Sequence, residues 1–154
     1  MKEITMKKLI TVFIALVLTA CSFGSQTELS RNQGKWQDAN ITHYRFELSI
    51  SCFCAFRDQM PLTIEVRDDQ IVYMATVDGT LVLDTDQNYE FYAPHATIDL
   101  LFAELDAALN DGADSVTVTY DSTYGFPTEI GIDYSQEIAD EEAYYSISGF
   151  EKLS

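Results

Sequence analysis

The sequence predicts an α+β domain, an antiparallel sheet of about six to seven strands with one main helix packed on one face and a short N-terminal helix. Three observations predict it. Several segments alternate apolar and polar residues with period two, as half-buried strands do. One segment, Ile98 to Leu109, places apolar residues at helical spacing. The strands follow one another through short polar turns, and direct hairpin connections favour antiparallel pairing.

The elements follow in order. Ser30 to Ala39 reads as a short helix capped by Ser30, with Leu29 and Trp36 as apolar contacts. Tyr44, Phe46, Leu48, Ile50, Cys52 and Cys54 alternate with polar residues in the first strand, and Leu62, Ile64 and Val66 repeat the pattern. Asp68-Asp69 makes a polar turn into a strand over Ile71 to Val77. Asp78-Gly79 is a hairpin signal, with a return strand from Leu81 to Leu83 and a short strand over Tyr89 to Tyr92. Thr97 caps the main helix, which carries Ile98, Leu101, Phe102, Leu105, Ala108 and Leu109 on one face and stops at Gly112. Three strands close the chain, over Ser115 to Asp121, Thr128 to Tyr134 and Ala143 to Phe150.

The chain's first residues read as an address. Lys7 and Lys8 precede an apolar run, Leu9 to Leu18, that is too short to span a bilayer but has the length of a signal-peptide core. It ends at Leu18-Thr19-Ala20-Cys21, which resembles the lipobox of bacterial lipoproteins. That resemblance implies cleavage before Cys21 and a covalent lipid on Cys21, with each buried CH2 adding about 0.8 kcal/mol of membrane affinity. The expected organisation is a signal peptide over 1–20, a lipidated Cys and tether over 21–29, and one globular domain over 30–154. The expected location is the cell envelope, facing away from the cytoplasm. Ser22, where an Asp would favour inner-membrane retention, points to the outer membrane in a Gram-negative host.

Charge narrows the function. The 154 residues carry 9 Lys and Arg against 25 Asp and Glu, a net of −16, with 47% apolar residues to fill a core. Losing residues 1–20 removes three lysines and one glutamate, so the remainder is −18. Between Arg67 and Lys152 there is no Lys or Arg, while 19 Asp and Glu fall there. Nucleic-acid binding and attachment to anionic lipid by basic patches are both disfavoured. Cations or basic partners are attracted.

Residues with chemistry to offer are few. With Cys21 lipidated, Cys52 and Cys54 remain in a C-x-C spacing. In an oxidising envelope an even pair suggests a disulfide. Residues i and i+2 of a strand lie about 6.6 Å apart, near the limit of disulfide geometry. Structural disulfide, inert thiols, thiol-redox chemistry and metal handling all stay open for the pair. Asp84-x-Asp86-x-Asn88-x-Glu90 resembles the start of a calcium loop but lacks the glycine and final glutamate that an EF-hand needs. Asp133, Asp140, Glu141 and Glu142 form a weak candidate for Ca²⁺. Nucleophile-elbow, zincin, P-loop and dinucleotide signatures are absent from the sequence. Tyr89, Phe91, Tyr92, Tyr124, Phe126, Tyr144 and Tyr145 are expected to fill the core, with a tyrosine-lined peptide or glycan groove as the sharper alternative.

One resemblance covers most of residues 30 to 150. Trp36, Ile41-Thr42-His43-Tyr44-Arg45-Phe46, Cys52-Phe53-Cys54, Pro61, Val118-Thr119-Tyr120-Asp121, Gly125-Phe126-Pro127, Ile132-Asp133, Ala139-Asp140-Glu141-Glu142 and Tyr145 recur together. In this the chain resembles a domain-of-unknown-function family of small bacterial lipoproteins. The resemblance implies export and fold integrity, and carries no activity with it. Its Tyr-Asp…Gly-Phe-Pro loop, Tyr120, Asp121, Gly125, Phe126 and Pro127, is a candidate functional loop and also good turn chemistry. The expected role is non-enzymatic binding or scaffolding of an envelope partner. The alternative is a redox or metal-handling role for Cys52 and Cys54.

Overall fold

The computed structural model describes residues 24–51, 56–135, 137–138 and 142–154. Its order is α1 (residues 24–39), β1 (His43–Ser51), β2 (Leu62–Arg67), β3 (Gln70–Ala75), α2 (Tyr89–Tyr92), α3 (Ile98–Asp111), β4 (Ser115–Tyr120), β5 (Pro127–Asp133) and β6 (Ala143–Lys152). All six strands form one antiparallel sheet in the order β3-β2-β1-β6-β5-β4. The fold is α+β with a six-stranded antiparallel sheet.

Alternation builds the inner face. Tyr44, Phe46, Leu48 and Ile50 of β1 are buried, as are Leu62, Ile64 and Val66 of β2 beside them. On β6, Tyr145 and Ile147 continue the layer. The register between β1 and β6 then shifts, with Gly149 at φ +59, so that Phe150 rather than Gly149 joins the core. The opposite face carries Ser49, Ser51, Thr117, Thr119, Glu65 and Arg45.

Helix α3 forms as its pattern predicts. Thr97 Oγ1 accepts the Leu100 N–H at 3.2 Å, and Gly112 ends the helix at φ +84. Ile98, Leu101, Phe102, Leu105 and Ala108 are buried against the sheet. Phe102 stacks on Tyr120 of β4. The Ile98 N–H, one of the amides a helix start leaves unpaired, donates to the Tyr44 hydroxyl at 3.1 Å. Burial raises the Tyr44 pKa well above its ordinary value.

Three local expectations are corrected. The first helix does not start at a Ser30 cap. It already runs at residue 24, within the stretch read as a tether, and Ser30 Oγ donates back to the Gln26 carbonyl. Leu29, Asn32 and Trp36 form a buried stripe at i, i+3 and i+7 of this longer helix. The helix ends at Asn40, whose φ of +46 suits an αL cap. Second, Leu81 to Leu83 is no strand but a single bridge, Ala75 to Leu81. The Leu83 N–H is taken by Asp86 Oδ2 at 2.7 Å, a local bond that competes with the sheet ladder. Third, Tyr89–Tyr92 is a helical turn, followed by a 3-10 turn over Ala93–His95 that contains Pro94. Proline has no N–H to give a ladder.

Candidate functional site

The Tyr-Asp…Gly-Phe-Pro loop proves to be a turn docked on α1. Asp121 Oδ1 accepts the Thr123 and Tyr124 N–H groups at 3.0 and 2.6 Å. The Asp121 N–H donates to the Phe126 carbonyl, and the Gly125 N–H to the Asp121 carbonyl. Gly125 sits at φ +81, and a Cβ there would lie 2.5 Å from the Asn32 carbonyl oxygen and 2.9 Å from Lys35 Cβ. Glycine is therefore required twice, by conformation and by the approach of α1. Phe126 is buried and stacks on Phe150 at 4.5 Å, with Trp36 edge-on to both. Pro127 opens β5. Tyr120 points its hydroxyl inward, where no described group bonds it, and burial pushes its pKa up to about 12.

The remaining predicted residues divide. Cys21, Cys52, Cys54, Asp140 and Glu141 lie outside the described residues. Asp133 Oδ1 accepts the Ser135 N–H at 3.0 Å, which is turn chemistry. Asp86 is engaged with Leu83 as above, and Asp84, Asp86 and Asn88 lie in the turn that leads into α2, where Glu90 sits. Among the described residues, no three His, Cys, Asp or Glu side chains gather as a metal would need. Of the seven singled-out aromatics, Tyr92, Phe126 and Tyr145 are buried, while Phe91 and Tyr144 are exposed.

Two polar clusters escape sequence reasoning. Glu104 of α3 accepts from the Tyr145 hydroxyl at 2.7 Å, and its other oxygen lies 2.7 Å from His95 Nδ1. The His95 ring packs on Tyr145, with centroids 4.6 Å apart. Burial first, and then the Glu104 carboxylate, raise the Tyr145 pKa, so the phenol stays protonated as the donor. On the outer face, Glu65 lies 2.8 Å from His43 Nε2 and 2.6 Å from Arg45 Nη2. Neither cluster has a spacing that marks it, because each joins a carboxylate on one element to partners on others.

The outer face also holds a trough of about 430 Å³ between Ser49, Ser51, Thr117, Thr119, Ser146 and Tyr144. Tyr144 lies over Gly131, where a Cβ would stand 3.0 Å from the ring.

A different surface is apolar. Ten large apolar side chains are exposed among the described residues, and six of them fall between residues 72 and 91: Val72, Tyr73, Val77, Leu81, Leu83 and Phe91. A groove of about 400 Å³ lies among Val72, Tyr73, Met74, Leu81, Leu83 and Tyr89. It runs beside β3, the edge strand of the sheet. Exposed apolar residues scattered singly are ordinary, but a contiguous group marks an interaction surface. The sequence did contain a signal for it. Ile71-Val72-Tyr73-Met74 is an unbroken apolar run where β1 and β2 alternate, so it must point some apolar side chains away from a one-sided core, and Leu81-Val82-Leu83 is a second unbroken apolar run.

The model of a family of unknown function, DUF6174, matches residues 28–152, so the chain belongs to that family. No curated protein and no solved structure matches it.

Proposed function

We propose that this member of the DUF6174 family is exported, acylated on Cys21 and held at the cell envelope, where its domain binds a partner rather than catalysing a reaction. The observation that carries the binding role is the apolar groove beside β3, lined by the exposed side chains of Val72, Tyr73, Leu81 and Leu83. The anchor is supported by the basic start, the short apolar run and the Leu-Thr-Ala-Cys sequence. Only Ser22 and Phe23 separate Cys21 from the helical residue 24. Three residue steps span at most about 10 Å, which would keep the domain close to the bilayer. A partner would therefore be met near the membrane surface. In a Gram-negative host, Ser22 favours the outer membrane.

The test has two arms. Detergent phase partitioning and mass spectrometry of the mature N-terminus should find diacylglyceryl-Cys21, and Cys21→Ala should lose the lipid and retain the uncleaved leader. An unmodified Cys21 would remove the anchor. Photo-crosslinkers placed at residues 72 and 83 of the full chain in its native envelope should give discrete adducts that crosslinkers on the outer face do not. Equal labelling from both faces would remove the binding role.

A further inference from the structure

Resting on the binding role just proposed, we infer that the surface beside β3 takes an extended polypeptide that adds a strand to the sheet, with apolar side chains at alternate positions and Lys or Arg between them. Strand addition needs an unpaired edge and an adjoining groove for alternate side chains.

β3 offers both. It ends the sheet, and among the described residues its outer side is met only by residues 80–82. The Val82 N–H donates to the Met74 carbonyl, and the Thr76 N–H donates to the Thr80 carbonyl. The chain itself therefore shows that this edge accepts a strand-like partner, and it covers only the C-terminal half. Gln70 to Tyr73 continue the edge without one. Edge strands are usually guarded by a charge, a proline, a bulge or a covering element. Gln70–Ala75 contains neither a charged residue nor a proline, and its one irregularity is the bulge at Val72, where the register against β2 shifts between Tyr73 and Ile71, so an added strand pairs across that bulge. The groove beside it supplies apolar contacts from Val72, Tyr73, Leu81 and Leu83.

Charge selects the occupant. Asp68 and Asp69 form the turn that enters β3, and Asp84 lines the far end of the groove. No Lys or Arg occurs from residue 68 to residue 151. Arg45 and Arg67, on the neighbouring strands, both face Glu65. A basic peptide is attracted to such a rim. A bilayer with anionic headgroups is repelled by it, and so is a second copy of this acidic chain.

The experiment uses the full chain in detergent micelles and a fluorescent nine-residue peptide of alternating Lys and Val or Ile. Anisotropy should report saturable binding, and NMR shifts should concentrate on residues 70–74 and 81–84. Methylating alternate peptide amides, which removes the ladder donors, should weaken binding at least tenfold. Replacing Lys by Glu should abolish it. Val72→Lys, which restores an edge guard, and Leu83→Ser, which trims the groove, should each weaken it at least tenfold, with circular dichroism confirming the fold. Undiminished binding of the methylated peptide, or shifts that map elsewhere, would overturn strand addition. So would a dimer at sedimentation equilibrium lost in Val72→Lys, or co-sedimentation of the Cys21→Ser chain with phosphatidylcholine vesicles lost in Leu83→Ser. If no peptide binds while Val72→Lys still abolishes the envelope crosslinks, strand addition falls and the binding role stands. If both variants leave the crosslinks unchanged, the binding role through this surface falls too.

Discussion

Two parts of the molecule use the same kinds of side chain to opposite ends. Where α1 meets the 121–127 turn, Trp36, Tyr44, Phe126 and Phe150 pack edge-to-face and stacked, with centroids 4.5 to 6.1 Å apart. Between residues 70 and 92, Val72, Tyr73, Leu81, Leu83 and Phe91 face solvent. The first region spends its aromatic residues on closing the core over the middle of the sheet. The second leaves apolar surface at an edge, where it contributes little to folding. The conspicuous motif of the sequence closes the core, and the inconspicuous run holds the exposed apolar surface.

The largest effect should come from breaking the first region. Phe126→Ala removes a buried aromatic and should cost about 3–5 kcal/mol in chemical denaturation. Gly125→Ala adds strain at positive φ of about 1–3 kcal/mol, and its Cβ would collide with the Asn32 carbonyl. The two changes should not add, because both act by prising the turn from α1. A denaturation midpoint for Phe126→Ala within error of the parent chain would show that the aromatic cluster is not the clasp argued here.

Much of this was legible in the chain, and the exceptions have physical causes. Period-two alternation located β1, β2, β4, β5 and β6 within a few residues, because a one-sided sheet forces it. Thr97 and Gly112 marked α3, because cap chemistry is local. The start of α1 was missed because its apolar stripe includes Asn32, a polar residue buried with its amide on the Glu28 carbonyl. Tyr89–Tyr92 was misread because four aromatic-rich residues favour a strand by propensity, while Tyr92 is drawn inward as a donor to Gln59 Oε1. The Glu104 and Glu65 clusters each join different elements, and one sequence contains no register. The Gly-Phe-Pro loop was legible as a turn, and its docking on Asn32 and Lys35 was not.

A smaller effect should appear with pH. Hydrogen bonds first from His43 and then from Arg45 hold the Glu65 carboxyl below its usual range. A carboxylate whose folded pKa is depressed contributes its stability above the unfolded value, about 4.3, and loses it as pH falls through the lower folded value. Urea midpoints should therefore drop below about pH 4.3, and Glu65→Gln should remove that part of the drop while lowering the plateau at pH 7. A pH profile unchanged by Glu65→Gln would show the cluster to be energetically idle, as exposed ion pairs often are. Tyr120→Phe should move stability the other way. It deletes a buried hydroxyl that no described group bonds, and a gain of up to about 1 kcal/mol is expected from the relieved desolvation.

The smallest effect on folding is the sharpest test of the comparison. Val72 and Leu83 are 51% and 56% exposed, so Val72→Ser and Leu83→Ser should each stay within about 0.5 kcal/mol of the parent chain. An apolar residue that contributes so little to folding needs another reason to stand in an unbroken apolar run. If the stability of these variants holds while their envelope crosslinks vanish, the edge and the clasp are separable, one for binding and one for folding. If instead either variant loses about 2 kcal/mol or more, the side chain is covered in the working protein by part of the same chain. The apolar surface would then belong to the core, and the distinction between the two regions would collapse.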